Sequence, residues 1–138
     1  MRILGIDYGD VRTGIAVSDP LGYTAQGIES IKHGNDEKKL LNRIGEIIKE
    51  YSIELIIIGF PLNMNATVGP RAEKTNQFVK KLENKFNIKI EKVDERLTTI
   101  SANKVMSDMC ISKNKKKEVV DTIAATFILQ TYLDKIKK

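Results

Sequence analysis

The chain has no tryptophan, one cysteine, one histidine and three prolines in 138 residues, and only 6% of it is aromatic. Each shortage closes off a class of protein. A lone cysteine, Cys110, cannot form an internal disulfide, and it falls on the apolar side of a helical pattern, so a core position in a reducing compartment is expected. With four Phe, four Tyr and no Trp, an aromatic platform for stacking bases finds little support. No apolar run approaches the ~20 residues of a membrane span. The opening MRILGIDYG is a strand pattern without a small-residue cleavage site after it, so a cytoplasmic protein is expected. Neither a Walker A pattern nor GxGxxG is present, which sets aside the common nucleotide-binding folds.

What is present is an ordinary globular composition, 41% hydrophobic and 30% charged, of a length that fits one domain over residues 1–138. The net charge of +5 raises the prospect of a polyanionic partner. RILGIDY, TGIAVSD and TAQGIESI read as a three-strand antiparallel meander, the first pair joined through GDVR with Gly9 and Asp10 as turn formers. Asn35 is a plausible N-cap for a helix to about Tyr51, with Leu40, Leu41, Ile44, Ile47, Ile48 and Tyr51 at helical spacing. IELIIIGF is the nearly continuous aliphatic run of a strand buried on both faces and paired in parallel.

PLNMNATVGPRA follows as a loop without periodicity, and Pro70 suits the first position of a helix that buries Thr75, Val79, Leu82 and Phe86. IKIEKVDE is a half-polar strand fit for a sheet edge. Thr98 or Thr99 can cap a short helix carrying Ala102, Val105, Met106 and Met109. SKNKKKE breaks the pattern, and a last helix from about Glu118 to Ile136 buries Val120, Ile123, Ala124, Phe127 and Ile128. The expected fold class is α/β, with a five-stranded mixed sheet flanked by helices. His33 is expected at the surface.

The acids are the anomaly. Asp7 follows an aliphatic strand, where an ionised carboxylate is costly without compensation. It either ends the strand as a turn former or forms one wall of a metal site. Asp121 stands on the inner flank of the last helix, one turn before Ala124 and Ala125, whose small side chains permit close approach to the sheet; an acid near the positive helix end is the simpler account. Asp94 or Glu95 at the end of the fifth strand offers a third carboxylate where α/β proteins place ligands. Oxygen ligands without a His or Cys cluster favour Mg2+ or Mn2+ over zinc, and two such ions about 4 Å apart suit phosphodiester hydrolysis.

GIDYGDVRTGIAVSD, GFPLNMNATVGPRAEK, VDERLTT and VVDTIAATFIL, in that order and spanning essentially the whole chain, resemble the YqgF (RuvX) family of Holliday junction resolvases, within the ribonuclease H-like superfamily. The resemblance implies a ribonuclease H-like fold and an acidic triad at Asp7, Glu95 and Asp121, which prefers Glu95 to Asp94. It also implies a metal-dependent nuclease, acting on the 5′ end of pre-16S ribosomal RNA, with a pre-ribosomal particle as a partner, or on branched DNA. The stretch KNKKK departs from residue-by-residue agreement with the family.

Several cations can be given roles in such a site. Arg12 stands in the first hairpin loop, Arg71 in the first turn of a helix, and Arg96 beside Glu95; each either grips a phosphate or anchors a loop. Lys113, Lys115, Lys116 and Lys117 precede Asp121 as a solvated loop or a backbone clamp, and a clamp of this kind does not read bases. GIDYG also resembles the phosphate-binding strand of actin-like ATPases and sugar kinases, but those need a second such domain. A ribosome- or RNA-binding factor with little catalysis is the stronger rival. Junction resolution asks for a dimer, and no dimer surface is legible in the sequence.

Overall fold

The computed structural model describes residues 2–61, 68–94 and 113–136, without the side chains of 113–121. The strands are β1 (Arg2–Asp7), β2 (Arg12–Ser18), β3 (Ala25–Lys32), β4 (Ile53–Phe60) and β5 (Lys89–Asp94). The helices are α1 (Glu37–Tyr51), α2 (Pro70–Phe86) and α3 (Lys113–Ile136). The strands form one sheet in the order β3-β2-β1-β4-β5. β1, β2 and β3 pair antiparallel, whereas β4 pairs parallel to both β1 and β5. The expected meander, the parallel central strand and the polar edge strand are all present. The short helix expected after Thr98, with Cys110, lies outside the described residues.

Strand alternation sorts the aliphatic residues onto two faces. Leu4, Ile6, Ile15, Val17, Ile56 and Ile58 join Leu40, Ile44 and Ile47 of α1 and Phe78, Val79 and Leu82 of α2 in one core. Ile3, Ala16, Leu55 and Ile57 meet Ala125, Ile128, Leu129 and Leu133 of α3 in the other. β4 is therefore buried on both sides, as its unbroken aliphatic run requires.

α1 is capped by Asp36, whose side chain accepts from the Lys39 N–H at 3.0 Å, one residue after the expected Asn35. α2 begins at Pro70 behind Gly69, and both helices end in a left-handed residue, Ser52 and Asn87. α3 begins at Lys113, so the lysine run belongs to a helix and not to a loop. Lys and Glu are good helix formers, and no apolar stripe marks that stretch in the sequence. Of the stripe expected on α3, Ala124 and Ile128 are buried whereas Ile123 and Phe127 are half-buried, and Ala125, Leu129 and Leu133 complete the buried face.

α3 reaches the sheet through two glycines. A Cβ at Gly5 would lie 2.8 Å from Leu129 Cβ and 3.1 Å from the Ala125 carbonyl oxygen, and one at Gly27 would lie 2.2 Å from Thr122 Cγ2. Any side chain on either strand here would push the helix away. Gln130 fastens the same helix, with Oε1 accepting from the Ala25 N–H at 3.0 Å and Nε2 donating to the Tyr23 carbonyl at 3.2 Å. Overpacking a close-packed contact costs about 1–3 kcal/mol. Gly5→Val is therefore expected to lower the urea midpoint by that order without changing the slope, and an unchanged midpoint would mean that α3 is not seated on β1.

Candidate active site

The parallel strands β1, β4 and β5 end on the same side of the sheet. Register places Ile6 beside Ile58 and Phe60 beside Asp94, so Asp7 closes β1 next to the Gly59–Phe60 end of β4. Ile3 and Gly5 face α3, and alternation puts Asp7 on that face too. It is half-buried there. α3 runs antiparallel to β3, since Gln130 bonds to Ala25 while Thr122 lies against Gly27. Its N-terminal direction thus leads toward the end of the sheet that carries Asp7, and backbone position 121 stands one turn before Ala125 on the buried stripe.

Asp94 faces the other way. Glu91 accepts from Tyr132 of α3 at 2.6 Å and Val93 packs in the α3 core, whereas Lys92 bonds to Asn76 of α2. Alternation then turns Asp94 toward α2, away from the face of Asp7. Glu95 and Arg96 lie outside the described residues, as does the side chain of Asp121. Among the described residues no three His, Cys, Asp or Glu side chains gather as a metal cluster.

The loop after Asp7 is held on all sides. Gly9 is required, because a Cβ there would stand 2.3 Å from the Arg12 carbonyl oxygen. His33, expected at the surface, is only 8% exposed. Its backbone N–H and that of Gly34 both donate to the Val11 carbonyl, at 2.9 and 3.0 Å, with Gly34 at φ 56°. His33 Nδ1 lies 2.8 Å from the Gly34 carbonyl, which can only accept, so Nδ1 carries the proton. In the neutral ring Nε2 then accepts from the Thr13 hydroxyl at 2.9 Å. Tyr8 stacks on Phe78 with ring centroids 4.1 Å apart, and its ring is also parallel to that of His33 at 6.4 Å. Burial pushes the Tyr8 phenol up from its usual range, with Glu37 adding to the effect.

The supporting role of Thr13 has a signal in the sequence: it stands in phase with Ile15 and Val17 on a strand whose inward positions are otherwise aliphatic.

The cations expected to grip phosphate are distributed unevenly. Arg12 is the first residue of β2, just beyond the loop, and is half-buried. Arg71 is exposed in the first turn of α2 and contributes to lowering the Asp10 pKa, so it stands near the same loop. Lys115, Lys116 and Lys117 are placed by their backbone in the first turns of α3.

This architecture is the ribonuclease H-like fold, and two solved structures share it. Thermus thermophilus RuvC superposes with a TM-score of 0.60 at 11% identity, covering 99% of this chain and 97% of its own. The fowlpox virus Holliday junction resolvase does so at 0.60 and 16% identity, covering 99% of each. The RuvX family, described as Holliday junction resolvase, matches residues 1–135, and the chain belongs to it. A relative from Ruminiclostridium cellulolyticum is 55% identical over 136 residues, covering 99% of this chain and 96% of that protein. One from Bacillus subtilis is 49% identical over 137 residues, covering 99% of each. Both carry the name "Putative pre-16S rRNA nuclease". Family and relatives alike mark the chain as a nuclease, a hydrolase of ester bonds.

Asp10 pairs with Lys74 of α2 at 2.6 Å, and that hydrogen bond, with the charge behind it, holds the Asp10 carboxyl below the usual carboxylate range. A depressed folded-state pKa contributes stability above the unfolded pKa and loses it as pH falls through the folded one. Both side chains are more than half exposed, so the contribution is small. Lys74→Ala is expected to raise the Asp10 pKa in a carbon-13 NMR titration; an unmoved titration would mean the pair does not persist in solution.

Proposed function

We propose that the chain is a cytoplasmic, metal-dependent endonuclease, one ribonuclease H-like domain over residues 1–138, that cuts structured nucleic acid at the 5′ end of pre-16S rRNA. The observation that supports this most is the placement of Asp7: a half-buried carboxylate at the end of a central strand, on the face toward which α3 brings position 121. Asp7, Glu95 and Asp121 would hold Mg2+ or Mn2+. An all-oxygen donor set fits such hard cations, and the half-burial of Asp7 leaves it reachable. A bound ion of this kind activates water and neutralises charge on the leaving oxygen.

The chain's own part is to fix the carboxylates and to grip the substrate. Gly5 and Gly27 set the distance from α3 to β1 and β3, and the His33–Thr13 hydrogen bond holds the loop that follows Asp7. Arg12, Arg71 and Arg96 would take phosphates near the cut. Lys115, Lys116 and Lys117 would take more distant ones, since they occupy the end of α3 where the helix dipole disfavours cations unless an anion is near. The names of the relatives favour the RNA substrate. The family description, together with RuvC solved with a Holliday junction substrate, favours four-way DNA as the second reading.

Purified protein is expected to cleave a pre-16S rRNA fragment with magnesium or manganese and not in EDTA, and Asp7→Asn to lose at least about 100-fold in rate. Equal rates in the variant, or cleavage in EDTA, would remove the metal site. Cutting of four-way DNA with the RNA left intact would reverse the choice of substrate.

A further inference from the structure

The antiparallel register carries the Asp7 face outward to the sheet edge. Asp7 pairs with Gly14, and Gly14 with Ser30, so these three positions form one row across β1, β2 and β3. The next row toward the hairpin loop holds Arg12 opposite Lys32. Ile15, Val17 and Ile31 face α1 and α2, so alternation puts Arg12 and Lys32 on the face of Asp7. Two strand spacings across the sheet and two residues along β3 set Lys32 about 12 Å from Asp7.

Lys32 is exposed, and neither it nor Arg12 has an acidic partner among the described residues. The nearby acids are taken: Asp10 by Lys74, Glu29 by Arg43, and Asp36 by the cap of α1. Like charges directly opposite on paired strands are destabilising. An Arg–Lys pair without a salt bridge among the described residues is a poor choice for the fold alone, and a suitable one for a surface that receives a polyanion.

We propose that Lys32, with Arg12, forms a second contact for the sugar–phosphate backbone of the nucleic-acid substrate, so that the bound strand crosses the sheet from Asp7 over β2 to the β3 edge. This rests on the nuclease reading and adds to it a direction for the substrate and a residue outside the metal site. Lys32 makes a point contact with phosphate and reads no base.

The test measures binding of the full chain, in EDTA so that nothing is cut, to a labelled RNA duplex with a single-stranded 5′ extension and to a four-way DNA junction. Lys49, exposed near the far end of α1, serves as the control. Lys32→Gln is expected to weaken binding about three- to tenfold and to reduce the salt slope by about 1. Lys32→Arg should restore both, and Lys49→Gln should match the wild type. The thermal midpoint of Lys32→Gln is expected at or above that of the wild type, which separates lost contact from lost fold. Wild-type affinity and slope in Lys32→Gln, or equal losses in Lys49→Gln, would overturn the contact while wild-type cleavage leaves the nuclease reading standing. Lost binding in Lys32→Gln alongside a wild type that cuts neither substrate would overturn the nuclease reading and keep the backbone contact.

Discussion

The architecture depends on how closely α3 lies against the sheet. Gly5 and Gly27 offer no side chain where Ala125, Leu129 and Thr122 arrive, so at these two points the helix meets strand backbone directly. Close packing of this kind leaves little freedom for sliding or tilting, because interiors have few voids into which a displaced group can move. A carboxylate two residues beyond Gly5 and a helix position one turn before Ala125 are thereby set relative to each other by a contact that is itself apolar. The rigid part of the site is core; the reactive part stands just past its edge.

The sheet explains why that edge falls where it does. β1 and β4 are aliphatic on both faces, with Ile3, Leu4, Ile6, Ile56, Ile57 and Ile58 essentially inaccessible. Polar groups can enter only where these strands stop, and Asp7 is the first side chain of β1 past its buried stretch. The loop beyond is then secured by groups that satisfy one another. His33 and Gly34 donate to Val11, Thr13 donates to His33, and the Tyr8 ring stacks with those of His33 and Phe78. Such a network is worth its desolvation only when its polar members find partners, and His33, Gly34, Val11 and Thr13 find theirs in these hydrogen bonds.

Much of this could be read from residue order. The meander, the doubly buried β4 and the polar β5 follow from period-two and unbroken aliphatic runs, which report burial directly. Asp7 was visible because a charge at the end of such a run has few innocent explanations. Three features were not legible, for three physical reasons. The start of α3 was misread because the lysine run forms helix by intrinsic propensity, with no apolar stripe to show it. The part played by Gly5 and Gly27 depends on which helix crosses above them, a tertiary fact that local pattern does not carry. His33 was misplaced because one residue of strand phase decides whether it points in or out, and the phase of β3 is interrupted by the irregularity opposite Ile15 and Ala16.

Where a sequence violates the preferences of its own fold, the violation points to function more reliably than the residues that obey them. Asp7 is one such case, and the lysines at the start of α3 are another. The Arg12–Lys32 row is a third, and the most informative of them, since the hydrophobic pattern of β2 and β3 is otherwise consistent and either cation could be exchanged for a neutral residue without disturbing the core. All three violations stand on the same end of the sheet, and two of them on one face with the acid between α3 and the β3 edge. An acid on the same face as Arg12 and Lys32, which have no salt bridge among the described residues, is the arrangement expected where a nucleic acid brings its phosphates. It is an unfavourable arrangement for a surface meant only to meet water.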